Sequence, residues 1–203
     1  MSYTDAGAVV DTLMHILGNE QEFFRDYIRQ YDHDVADREI PLTIAKGIFD
    51  NRPHSVMPII ELEPDSEDNE WAATQAQRPT FDVTLRITVV NANRELVVEY
   101  ITGMVRRVKI ILNDPRRLQS LVIDMYGRQQ MKWNWDGCLL PINFLDSLVT
   151  RVEYKSLQEG TLRQATLSWF CKIHEPLPAK SFFDHWPHWT SPTAPGYFGP
   201  GKA

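Results

Sequence analysis

The stretch Phe81-Asp82-Val83-Thr84-Leu85-Arg86-Ile87-Thr88-Val89 decides the fold, because every odd position is apolar and every even one polar. Successive side chains of a strand point to opposite faces. This run therefore predicts a β-strand with one face on a core and the other in water or against a partner. Asn91 to Asn93 then turn the chain. Beyond them Val97, Ile101, Met104, Val105, Val108, Ile111 and Leu112 recur at helical period and predict a helix over 94–112. Arg106, Arg107 and Lys109 suit the negative pole of that helix's dipole, and Asn113-Asp114-Pro115 ends it.

Upstream, residues 5–32 read as helix, with Val9, Val10, Leu13, Leu17, Phe24, Tyr27, Ile28 and Tyr31 on one stripe. Thr4 or Asp5 is placed to cap its start, and Gly18-Asn19 is a natural break into two helices. Residues 34–39 read as a charged loop before Pro41. Residues 56–63 look like a strand that Pro58 confines to an edge or a bulge. The acidic run 65–70 leads into a polar segment through Gln77, which predicts a long, exposed, mobile loop.

Downstream of the long helix come a short apolar piece, Leu121-Val122-Ile123, and a section bearing Trp133 and Trp135. A β-hairpin follows, with arms at 148–154 and 162–173 and a turn containing Gly160. The expected class is α+β, a mostly antiparallel sheet with helices packed on one face.

At Pro176 the character changes. Residues 176–203 hold six of the 13 prolines, which forbid regular ladders and favour an extended arm. Phe182, Phe183, Trp186, Trp189, Tyr197 and Phe198 make that arm too apolar for a solvated tail. They are the candidate partner-docking residues. The expected division is a domain over 1–175 and an arm over 176–203.

A chain of 203 residues, 43% hydrophobic, can build one real core. It contains no apolar run long enough to span a bilayer, and its start lacks the features of a signal peptide. A soluble protein made in the cytoplasm is expected. Cys138 and Cys171 imply neither a disulfide framework nor a zinc cluster, and Cys171 reads as a buried free thiol. The net charge of −6 argues against broad binding to nucleic-acid backbones, though not against a protein that DNA merely passes.

The sequence lacks a Gly-rich phosphate loop, a nucleophile elbow, His-Glu-x-x-His and Cys-x-x-Cys. His185-Trp186-Pro187-His188 brings two imidazoles near each other, but Pro187 breaks any helix that would converge them and no third ligand is near. Arg106-Arg107-Val108-Lys109 and Arg116-Arg117 fit a helix end and a solvated face at least as well as a DNA contact. No catalytic, cofactor or metal residue is therefore assigned, and the chain is expected not to be an enzyme.

The order of elements is helix, proline-interrupted strand, loop, the alternating strand 81–89, the turn Asn91-Ala92-Asn93, the long helix and a late hairpin ending in Arg163-Gln164-Ala165-Thr166-Leu167-Ser168-Trp169. This layout resembles the tail terminator (tail-completion or neck) proteins of tailed bacteriophages over residues 5–174. The resemblance implies a virion protein made in the host cytoplasm. It forms a homo-oligomeric ring, usually a hexamer, that caps the tail tube and joins it to the head-completion or connector protein. DNA passes such a channel without specific binding. Asp65, Glu67, Asp68 and Glu70 are then candidates to line the channel or face the tube. Two other readings stay open: another head–tail adaptor or tail component, and a small cytoplasmic ligand-binding domain or enzyme.

Overall fold

The computed structural model describes residues 5–31, 42–50, 53, 57–73, 76–127 and 143–176. Helices α1 (Ala6–Asn19) and α2 (Gln21–Ile28) precede strands β1 (Thr43–Lys46), β2 (Ile59–Ala73) and β3 (Ala76–Val90). Helices α3 (Arg94–Leu112) and α4 (Pro115–Gly127) follow, then β4 (Asn143–Leu157), a 3-10 turn at Gln158–Gly160 and β5 (Leu162–Pro176). The strands form one sheet in the order β1-β2-β3-β5-β4. Among the described strands only β1–β2 is parallel. The fold is α+β, as the sequence pattern implies.

The alternation in β3 works as expected. Phe81, Val83, Leu85, Ile87 and Val89 are buried in the core together with Ala165, Leu167, Trp169, Cys171 and Ile173 of β5. Leu62, Leu85 and Leu167 lie side by side across three strands. The helices cover this face. From α1 come Val9, Val10, Leu13, Ile16 and Leu17, and from α3 the whole stripe from Val97 to Leu112. Burial of this apolar set, at about 25 cal/mol per Å² removed from water, is the main driving force for the fold.

Local chemistry sets the helix ends. Asp5 caps α1, its Oδ1 accepting from the Ala8 amide at 2.6 Å, and Asn93 caps α3 through Glu95 and Leu96. The break between α1 and α2 falls at Glu20, beside the Gly18-Asn19 pair. Helix α2 runs along α3. The Tyr27 hydroxyl donates to the Glu99 carbonyl at 2.7 Å, and Tyr31 stacks on Tyr100 at 4.9 Å. Gly103 permits this approach, since a Cβ there would lie 1.8 Å from the Tyr27 hydroxyl.

Four expectations need correction. The acidic run and the polar segment after it are not a loop. Asp65, Glu67, Asp68 and Glu70 belong to β2, which pairs with β3 from Ile59↔Thr88 out to Ala73↔Ala76. Backbone pairing makes this strand, and the residues 63–68 are exposed, so no apolar alternation marks it. Second, Pro115 starts a helix as well as following one. It occupies the first position of α4, and Asp114 Oδ1 accepts from the amides of Arg116 and Arg117 at 3.0 and 3.2 Å. The apolar piece at 121–123 is part of that helix. Third, the short parallel strand β1 lies outside the expected set. Fourth, the strand expected over 56–63 starts at Ile59 and is not the sheet edge there, because β1 flanks it. Pro58 precedes it, and its register shift lies between Pro64 and Ser66.

Candidate assembly surfaces

Among the described residues the sheet stays open at both sides. β1 covers β2 only from Ile59 to Leu62, where the Gly47 amide donates to the Leu62 carbonyl at 2.7 Å. Past Leu62 the outer edge of β2 has no strand partner among the described residues. β4 forms the opposite edge and, among the described residues, pairs only with β5. An unpaired strand edge presents a row of amides and carbonyls to any second strand that can reach it. Leu145, Leu148 and Tyr154 are large apolar side chains exposed on β4. Two register shifts, next to Leu145 and Thr150, interrupt that strand.

The candidate acidic residues lie along the bare part of β2. Asp65 sits at the shift between Pro64 and Ser66, and Asp68 pairs in register with Thr80. Glu67 turns back to the helix layer and accepts from the Ala6 amide at 3.3 Å, which ties the strand to the start of α1. Glu70 lies opposite Arg78 in the register. The candidate arm residues Phe182, Phe183, Trp186, Trp189, Tyr197 and Phe198 lie outside the described residues, as do Trp133, Trp135, Cys138, His185 and His188.

The two basic clusters divide by role. Arg107 and Arg117 hold the helices together. Arg107 stacks on the Tyr27 ring at 3.9 Å and donates to the Phe23 carbonyl, and Arg117 pairs with Glu20 at 2.8 Å. Arg106 and Arg116 are exposed, and Lys109 is half-buried. Arg106 and Lys109 lie in the last two turns of α3 and Arg116 in the first turn of α4. The α3–α4 junction is tied to the sheet twice. The Trp169 indole donates to the Leu112 carbonyl at 3.1 Å, and the Val149 amide donates to Asn113 Oδ1 at 2.7 Å.

A charged pair absent from the expected site residues lies on the face of the sheet away from the helices. Glu61 and Arg86 are opposite each other in the β2–β3 register and both are buried. Arg86 Nε donates to Glu61 Oε2 at 2.9 Å, and its two terminal nitrogens reach Asp50 and the Phe49 carbonyl. Glu61 also accepts from the Phe49 amide at 3.1 Å. The pair staples residues 47–50 over the sheet. A carboxylate inside the apolar run Ile59-Ile60-Glu61-Leu62 was the available sequence signal.

Cys171 is fully buried, as its place in the alternation predicts. Burial holds its thiol far above the ordinary value of 9.0. The Asp82 carboxylate adds to this, and a hydrogen bond with the Phe81 backbone opposes it. The unfolded chain releases this proton near pH 9 and the folded chain keeps it, so stability falls as pH rises above that point. The expected slope from this group is about 1.4 kcal/mol per pH unit. Urea melts at pH values on either side of 9 should show Cys171→Ala losing less stability than the wild type in the alkaline range. Parallel losses in the two proteins would mean the thiol ionises in the folded state.

Among the described residues no three His, Cys, Asp or Glu side chains converge as metal ligands. No helix among them is long and apolar enough to cross a membrane. No family model matches the chain, and no curated protein matches it in sequence. A chain from a solved structure described as the virion of a native gene transfer agent particle aligns with 66% of this chain and 79% of its own length. Identity there is 8% and the TM-score 0.35, values at which a common fold is not established.

Proposed function

We propose that this chain is a structural component of a phage-like virion, and within it a tail terminator. In this reading copies of the chain form a ring, a hexamer by the habit of the family it resembles, that caps the tail tube and meets the head-side connector. DNA passes through without specific recognition, and the protein carries out no chemistry. The observation that supports it best is the sheet that, among the described residues, is left open on both sides, with exposed Leu145, Leu148 and Tyr154 along one of them. Long unpaired edges are a hazard in a solitary protein and a joining surface in an assembly. A head-to-tail contact between two different edges closes into a ring when the rotation between copies closes, and otherwise continues as a filament. The layout that resembles tail terminators is consistent with this use, and the aromatic residues of the proposed arm over 176–203 are the candidates to clamp a neighbour.

The test is the mass of the purified protein by light scattering, alone and mixed with tail tubes from the same source. A ring in solution, or one that appears only on capped tubes, is expected. A monomer that ignores tubes would overturn the terminator reading; binding to head-side connectors instead would identify an adaptor. The arm is tested separately by ending the chain at Pro176, the last residue of β5. The shortened protein should melt within a few degrees of the full chain, as expected when no core contact is lost, and assemble more weakly. Global unfolding would place the arm in the core.

A further inference from the structure

Strand β4 is an edge of two unlike halves. Along its first half, amides that point away from β5 are already taken by side chains. Phe144 donates to Gln119 Oε1 at 3.0 Å, Ser147 to Asp146 Oδ1 at 2.8 Å and Val149 to Asn113 Oδ1 at 2.7 Å. All three residues are buried. Donors bonded in this way are not open to a second strand. Past the register shift at Thr150, nothing among the described residues but β5 pairs with the strand. There Arg151, Glu153, Tyr154, Lys155 and Ser156 are exposed.

The register shows which groups this bare half presents. Val149, Val152, Tyr154 and Ser156 lie opposite Trp169, Leu167, Ala165 and Arg163 of β5. Those in turn pair with Val83, Leu85, Ile87 and Val89, on the face that the helices cover. The Val149 amide points outward, to Asn113. Main-chain direction alternates along a strand in step with side-chain face, so Val152, Tyr154 and Ser156 also turn their amides and carbonyls outward. Arg151, Glu153 and Lys155, opposite Ser168, Thr166 and Gln164, form a plus–minus–plus row on the other face. Arg151 and Glu153 pair with each other within that row.

We propose that two copies of this chain join β4 to β4 over residues 151–157, about a two-fold axis at Tyr154. The two sheets continue as one antiparallel sheet with both helix layers on the same face. Tyr154 then faces Tyr154 of the second copy, Val152 faces Ser156, and Glu153 faces Lys155 once on each side of the axis. The occupant is a second copy because the charged row complements its own reverse. Moving the axis by one residue, to Glu153 or Lys155, sets a like charge against itself. Moving it to Val152 carries Lys155 onto Val149, whose amide Asn113 holds. A contact of one patch with itself closes at two copies. The pair goes beyond the tail-terminator reading, and a ring built through β4 needs the same edge. Such a pair must open before that ring can close.

The test reads the mass of the full chain by light scattering over a range of concentrations. Wild type is expected as a dimer. Glu153→Lys and Lys155→Glu, each alone, set like charges across both contacts and should need at least about tenfold more protein to pair. Mixed in equal amounts these two variants should pair with each other, and a chain carrying both substitutions should pair with itself. Tyr154→Pro removes an outward amide that β5 does not use, so it should keep its fold by circular dichroism and lose the dimer. The wild-type dimer should also weaken as salt rises from about 0.1 M to about 1 M. A wild type that stays monomeric, or passes straight to a ring, overturns the pair. So does a dimer that these substitutions leave intact, or a loss that neither mixing nor the double exchange restores. A dimer that responds as expected but forms no ring on tubes supports the pair and overturns the terminator reading.

Discussion

Trp169→Ala should be the most damaging single truncation in this protein, costing about 3–5 kcal/mol of stability. Trp169 is the largest fully buried side chain among the described residues and sits at the middle of the sheet, between Val83 and Val149. Its ring meets Phe144 edge-on at 6.2 Å. Its indole nitrogen also serves the end of α3, where the Leu112 carbonyl has no further turn of helix to accept from. Alanine removes both the packed volume and this link. Trp169→Phe separates the two effects, since it keeps much of the volume and loses only the hydrogen bond. It should cost about 1–3 kcal/mol, the penalty of an orphaned buried carbonyl plus a small void. Urea denaturation reads both variants as shifts in midpoint at unchanged slope. A loss below about 1 kcal/mol for Trp169→Ala would mean the site collapses around the gap.

Arg86→Met should rank beside it, at about 3–5 kcal/mol, for an electrostatic reason. The substitution leaves Glu61 fully buried with its cation gone, and the segment at 47–50 loses the donors that reach Asp50 and the Phe49 carbonyl. Desolvation of two charges is only offset, not outweighed, by their attraction, so removing both is far milder than removing one. The double variant Glu61→Met with Arg86→Met should recover most of the loss. A double-mutant cycle on urea midpoints measures the coupling. Additive single effects would show that water reaches the pair and screens it.

How legible the fold was in the sequence follows from where each element puts its apolar surface. β3, α3 and the β4–β5 hairpin each bury one face, and burial writes a period into the sequence. The outer half of the β2–β3 hairpin left no such mark. Residues 63–68 are exposed, and what makes them a strand is pairing with β3, which has no signature in composition. α4 was hidden for another reason. Asp114-Pro115 both stops α3 and caps the next helix, and a proline read as a terminator conceals its second use. β1 is four residues long and joins by parallel pairing to a strand well along the chain, so nothing local announces it.

The assembly surfaces were legible only in part. The acidic residues and the two basic clusters stand out in the sequence as charge runs. Which face of the sheet each acidic residue takes exists only once β2 is in register with β3. Arg107 and Arg117 show the limit of reading charge from sequence. They look like their neighbours Arg106 and Arg116, yet they are used inside the helix layer, and only the packing of α2 separates the two kinds.

The order of the strands has a consequence for synthesis. β2–β3 and β4–β5 are hairpins of neighbouring segments, but the middle seam joins β3 to β5, the last strand described. While the ribosome is still making the chain, β3 therefore has one bare side, and the apolar row from Phe81 to Val89 has only the earlier helices and then α3 to shelter it. Helices form within about a microsecond and cover that row at once, whereas the seam waits for translation to deliver β5. The α3–α4 junction likewise takes its final position only when Trp169 and Val149 arrive to hold it. A nascent chain thus carries β2 and β3 as a lone hairpin under its helices, and the outer strand β4 joins the sheet only through β5, in the finished copy.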